Sequence, residues 1–185
     1  MKTFVIGDTH FGHKNILKFQ PEERPFAAIE EHDEALIASW NSVVKDSDRV
    51  IHLGDVALGY KTDPSKIIPR LKGEKILVAG NHDVYWTTQQ WLDFGFSEVV
   101  GSYSYANYIL THIPVHTSQQ ERWKGNIHGH LHSNSIDDPW YFCASAERIN
   151  LAPMNIDIIM KLLRYNNDRD KAVPLVQYGE FNDAL

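Results

Sequence analysis

Short apolar runs that stop in a polar turn recur along this chain. Thr3–Ile6, Arg49–Leu53 and Lys75–Ala79 are rich in β-branched and aliphatic residues, and they run into Gly7-Asp8, Gly54-Asp55 and Gly80-Asn81-His82-Asp83 respectively. Runs of this length closed by turn residues predict buried strands whose C-terminal ends carry polar groups. Between the first two, Leu36, Ile37, Trp40, Val43 and Val44 recur at helical spacing, which predicts an amphipathic helix over Glu30–Val44 with an acidic first turn. Pro64–Leu71 reads as a second helix, with Pro64 near its start and Pro69 blurring its end. Strand and helix in alternation argue for α/β layering.

Thr87–Phe94 reads as helix, after which the texture turns strand-like at Glu98–Tyr103, Asn107–Thr111, Asn126–His128 and Tyr141–Ser145. Asn155–Arg164 is helix-like, and Val173–Tyr178 reads as a final strand. No repeat, low-complexity tract or linker interrupts the pattern, so residues 1–185 are expected to form one domain.

Composition narrows the chemistry. With 43% hydrophobic and 23% charged residues the chain is globular rather than disordered. Its net charge of −6 argues against an extended nucleic-acid footprint, although it leaves room for a local basic pocket. The single cysteine, Cys143, excludes an internal disulfide and any multi-thiolate metal site. Ten histidines point instead to metal ligation or proton transfer. The apolar start breaks off at Gly7-Asp8, too soon for an export signal, and no run is long enough to span a membrane. The expectation is a soluble, cytoplasmic protein without a membrane partner.

Five polar segments each follow a strand-like run: Asp8-Thr9-His10, Gly54-Asp55, Gly80-Asn81-His82-Asp83, Thr111-His112 and Gly129-His130-Leu131-His132. In extended backbone, residues i and i+2 face one side, so Asp8 and His10 can converge, as can His130 and His132. A lone Asp-X-His or His-X-His is common by chance, whereas all five at successive strand ends are not. An N and O ligand set without thiolate suits Mn, Fe, Zn or Ni.

In these segments the chain resembles the calcineurin-like metallophosphoesterases, whose pattern is Asp-X-His, Gly-Asp, Gly-Asn-His-(Asp/Glu), His and Gly-His-X-His. The match runs from Asp8 to His132. Asp8-Thr9-His10-Phe11-Gly12-His13-Lys14-Asn15-Ile16, Arg24-Pro25-Phe26 and His52-Leu53-Gly54-Asp55 are similar to small bacterial and phage-type members. Further on, Glu147-Arg148-Ile149-Asn150-Leu151-Ala152-Pro153 resembles a family segment, with Leu151 where an aromatic often stands.

The resemblance implies a four-layer α-β-β-α sandwich and two divalent cations, manganese first among Mn, Fe, Zn and Ni. Asp8, His10 and His132 would hold one ion, Asn81, His112 and His130 the other, and Asp55 would bridge them. The implied reaction is in-line attack on a phosphoester by a hydroxide between the cations, with small phosphodiesters favoured as substrates. His82 would protonate the leaving oxygen or stabilise its charge. Asp83 would orient His82 or stabilise the fold.

Other residues carry quieter readings. His52 and His128 fit support from the core. His13, Arg24 and Arg148 are candidate phosphate contacts, each with an ordinary surface or salt-bridge role as first reading. His32 and His116 look solvated, and Cys143 looks like a small buried hydrophobe. Tyr103, Tyr105, Tyr108, Trp123, Trp140 and Tyr141 read as packing residues before they read as a base-stacking pocket. The competing functions are a phosphomonoesterase, nucleotidase or protein phosphatase on the same site, and a catalytically silent metal-binding module. A helical His-Asp phosphohydrolase is disfavoured because His82-Asp83 follows a strand-like run.

Overall fold

The computed structural model describes residues 1–59 and 62–167. Strands β1 (Thr3–Ile6), β2 (Arg49–His52), β3 (Glu74–Val78) and β4 (Glu98–Val100) run parallel, and β9 (Met154–Asn155) adds an antiparallel edge beside β1. The order in this sheet is β4-β3-β2-β1-β9. A second sheet holds β5 (Tyr103–Tyr105), β6 (Tyr108–Thr111), β7 (Asn126–His128) and β8 (Tyr141–Cys143) in chain order. Here β5 and β6 form an antiparallel hairpin closed by Ala106 and Asn107, both in left-handed backbone, while β6, β7 and β8 run parallel.

Helices complete the layers: α1 (Ile16–Phe19), α2 (Ile29–Val43), α3 (Pro64–Ile67), α4 (Thr88–Phe94) and α5 (Ile156–Asn167). Every residue of β1 is buried, as expected of a parallel strand covered on both faces. One apolar core joins both sheets to the helices. It takes Val5, Ile51 and Leu77 from the first sheet, Leu110, Ile127 and Phe142 from the second, Trp40 from α2 and Ile159 from α5. The expected α-β-β-α sandwich is the fold observed.

The elements depart from the sequence pattern where local and tertiary demands differ. The run Glu98–Tyr103 splits into β4 and β5, one in each sheet, because the chain turns at Gly101-Ser102 to cross between them. The helix expected over Pro64–Leu71 stops at Ile67 and continues as a 3₁₀ turn over Ile68–Arg70, consistent with Pro69 removing a backbone donor. Val173–Tyr178 lies outside the described residues. His32, expected in solvent, is fully buried in α2, where its ring faces Arg24 and Asp33.

The two sheets meet at one edge. Gly7, just past β1, bridges to Ser145, just past β8, through Gly7 N–H to Ala144 O at 2.8 Å and Ala146 N–H to Gly7 O at 2.9 Å. The C-terminal ends of the parallel strands of both sheets therefore open onto a common rim. Among the described residues no helix is long and apolar enough to cross a membrane.

Candidate metal centre

Each predicted ligand sits on a loop at that rim. Asp8, His10, Asp55, His130 and His132 all adopt left-handed backbone, with φ between 50° and 71°. Asp8 and His10 do converge on one triad, through left-handed turns and not extended backbone, whereas His130 and His132, expected to converge as a pair, fall in different triads. Such conformations cost non-glycine residues about 1–3 kcal/mol each and persist only where the surroundings over-determine them. Here they do: Asp8 N–H donates to Gly54 O at 2.9 Å, His10 N–H to Asp55 O at 3.0 Å and His130 N–H to Asp8 Oδ2 at 2.9 Å.

Glycines make the close approach possible. A Cβ on Gly80 would collide with Asp55 Oδ1 and come within 2.6 Å of the Asp55 nitrogen. Gly54, at φ +88°, would place a Cβ on the backbone nitrogen of Gly80.

Two triads result. The ligand atoms of Asp8, His10 and His132 lie within 4.8 Å of one another, and so do those of Asp55, His112 and His130. Asp55 Oδ2 stands between them, 3.7 Å from His10 Nε2 and 3.5 Å from His112 Nε2, as a bridging carboxylate would. Asn81 Oδ1 lies 2.9 Å from His112 Nε2, which puts the amide oxygen in the second group.

The donor chemistry fits cations. His112 Nδ1 is 2.7 Å from Leu53 O, which can only accept, so the ring proton is on Nδ1 and Nε2 presents a bare lone pair. That lone pair faces Asn81 Oδ1, Asp55 Oδ2 and, at 3.2 Å, His130 Nδ1, a cluster of donor atoms suited to a cation. In the first triad Asp8 Oδ2 accepts from Ser145 Oγ at 2.7 Å and from His130 N–H, while Asp8 Oδ1 is buried without a hydrogen-bond partner. His10 is 2% exposed, and neither of its ring nitrogens has a hydrogen-bond partner. Orphaned buried acceptors aimed at one point are the usual cost of a ligand set.

Burial pushes the Asp8 carboxyl up to about 6, against the pull of His112 and His132, and it holds the His10 imidazole well below its usual range. A bound cation would return Asp8 to the carboxylate form. Burial also opposes charge on His132, but the hydrogen bond and charge of Glu147, with Asp8, outweigh it and raise that imidazole's pKa.

His82 stands at the mouth with its side chain 41% exposed and Nε2 3.9 Å from Asp55 Oδ2. Asp83 does not bond its imidazole. Its carboxylate accepts three backbone N–H groups, from Asp55 at 2.8 Å, Val56 at 3.0 Å and Gly80 at 2.7 Å. Of the two roles expected for Asp83, these bonds match the stabilising one. His52 is buried between Thr9 Oγ1 and the Gly54 amide, and His128 Nδ1 meets Gly129 O, so both brace loops that carry ligands. The His13 ring lies 5.3 Å from that of His10, tilted by 42°, and Arg148 reaches Ser133 O beside His132.

Arg24, a candidate phosphate contact, is fully buried and paired with Glu147 at 2.8 Å. Glu147 also meets His132 Nδ1 at 2.9 Å, a role that local spacing does not reveal. Arg24 and Glu147 are 123 positions apart, and only the meeting of two loops brings them together.

Two packed sheets flanked by helices, with twin ligand triads at their common edge, define a metallophosphoesterase type of fold. The family described as calcineurin-like phosphoesterase matches residues 1–177, and the chain belongs to that family. An uncharacterized protein of Methanocaldococcus jannaschii is 36% identical over 173 residues, covering 88% of this chain and 91% of its own length. The Gene 66 protein of Mycobacterium phage L5 is 29% identical, covering 72% of this chain and 79% of that protein. A crystal structure of a protein of unknown function from Aquifex aeolicus superposes with a TM-score of 0.69 at 26% identity, covering 87% of this chain and 98% of the other.

Proposed function

We propose that this protein is a dinuclear metal-dependent phosphoesterase that hydrolyses small phosphodiesters. The observation that carries the reading is Asp55 Oδ2 standing between His10 of one triad and His112 of the other. When bound, two divalent cations, with manganese our choice over iron, zinc or nickel, supply an activated water and Lewis-acid stabilisation of phosphoryl charge.

The chain's own residues then have defined tasks. Asp8, His10, His132 and Asp55 would hold one ion; His112, His130, Asn81 and Asp55 would hold the other. His82, half in solvent beside Asp55, is placed to hydrogen-bond or protonate the departing ester oxygen. His13 opens onto a cleft of about 600 Å³ lined by Leu58, Gly59, Thr62, Tyr85 and Trp86, which gives one arm of an ester a place beside the metals. The acidic chain carries no support for tracking a long polyanion, whereas two cations would make this rim locally attractive to a single phosphoester.

Manganese-loaded protein offered bis(p-nitrophenyl) phosphate and p-nitrophenyl phosphate tests the proposal. Faster turnover of the diester is expected. Preference for the monoester would move the reading to a phosphomonoesterase. Turnover of neither, with two ions bound, would leave a silent metal-binding module.

A further inference from the structure

A guanidinium with no exposure to water needs an acceptor for its N–H groups, because an unpaired buried charge costs several kcal/mol. Arg24 meets that demand with acceptors of the first half of the metal centre and one histidine of α2. Its Nε and Nη2 reach Glu147 Oε1, each at 2.8 Å. Its Nη2 also donates to Asp8 O at 2.5 Å and its Nη1 to Thr9 O at 3.0 Å. Nη1 further meets His32 Nε2 at 2.6 Å.

Arginine only donates, so His32 Nε2 must accept, and its Nδ1–H is left to donate to Asp33 Oδ1 at 2.9 Å. Asp33 in turn accepts the Gly12 amide at 3.0 Å. This chain of bonds therefore starts and ends on the loop that carries Asp8 and His10. Its side branch, Glu147, fixes the Nδ1 proton of His132 and leaves Nε2 bare toward the site.

The other half touches this network through the His130 N–H on Asp8 Oδ2 and the His10 N–H on Asp55 O, but its own side chains have further braces. Leu53 O sets the His112 tautomer, and the His82 and Asp83 bonds fix Asp55. Among the described residues, none of these bonds passes through Arg24 or Glu147.

We infer that Arg24, acting through the Asp8 and Thr9 carbonyls and through Glu147, is the positioning residue for the Asp8–His10–His132 ion in preference to the other. The inference rests on the dinuclear reading above. Lysine cannot replace it, since one ammonium cannot span acceptors on two loops as the planar fork does.

Counting Mn²⁺ per chain by equilibrium dialysis, with calorimetric titration of the full chain, tests this. Wild type is expected to bind two ions. Glu147→Gln keeps side-chain volume and removes charge; Arg24→Lys keeps charge and removes the fork. Each is expected to retain one ion at wild-type affinity and to weaken the other 10–100-fold. Asn81→Ala should do the converse, weakening the ion held with His112 and His130. Should Arg24→Lys not fold, Glu147→Gln decides alone. Two ions at wild-type affinity in Glu147→Gln, or both weakened equally, would overturn the half-site assignment. Fewer than two ions in wild type would instead overturn the dinuclear reading itself.

Discussion

Asp83 holds Asp55 from 28 positions away: one carboxylate oxygen takes the Asp55 amide at 2.8 Å and the Gly80 amide at 2.7 Å. Asp55, the proposed bridge, and the loop carrying Asn81 and His82 are thus pinned to a single buried acid. Trp91 of α4 adds a further tie by donating its indole N–H to Asp83 O at 3.0 Å.

Removing that acid should cost stability before it costs chemistry. Asp83→Ala leaves three buried amides without their acceptor, and the apoprotein is expected to lose about 3 kcal/mol or more. Urea unfolding of wild type and variant checks this. A shift below about 0.5 kcal/mol would show that water or another group replaces the carboxylate.

His82 should behave in the opposite way. It ligates neither triad and is half exposed, so His82→Asn is expected to keep both ions and to lower turnover about 10²–10⁴-fold. Metal analysis and steady-state kinetics on the same preparation separate the two effects. Turnover within threefold of wild type would remove His82 from the reaction.

Metal should also hold the fold together. The donor atoms clustered around Asp55 Oδ2 suit a cation, so chelation should lower the melting temperature. An ion present at 100 times its Kd stabilises by about 2.7 kcal/mol, or roughly 5–10 °C for a chain of this size. Calorimetry with EDTA and with added Mn²⁺ measures it, and equal melting temperatures would contradict a bound ion.

The apoprotein should weaken in acid through His52. Burial lowers its pKa from 6.5 to about 3. The unfolded chain therefore binds this proton below pH 6.5 while the folded chain does not. The contribution to stability is complete above that pH and falls by up to about 1.4 kcal/mol per pH unit down toward pH 3. His52→Gln should flatten the slope of stability against pH over this window, and an unchanged slope would assign the loss to other groups.

Much of this site is legible in the sequence because each ligand follows its own local signal. An apolar run of four or five residues makes a buried strand, and a glycine lets it turn. The next polar residue must then face the rim. Such reasoning reaches Asp8, Asp55, Asn81, His112 and His130 without knowledge of where the strands lie. It also places Asp83 and His52 near the site, although Asp83 has two roles open until its three amide bonds are seen. His32 is misread as solvated because it lies between charged neighbours in α2, and only the approach of Arg24 makes it a buried acceptor. Glu98–Tyr103 likewise offers one continuous strand-like run, and the split follows from which sheet each half joins.

By itself, then, the sequence determined the candidate polar segments, their placement at strand ends and the α/β layering, since all three rest on residues within a few positions of one another. Tertiary structure alone decided the left-handed backbone of five candidate ligands, the pairing of Arg24 with Glu147 and the grip of Asp83 on Asp55. Buried charges and strained turns are stable only where distant segments supply their partners, and no local pattern records which segments will meet.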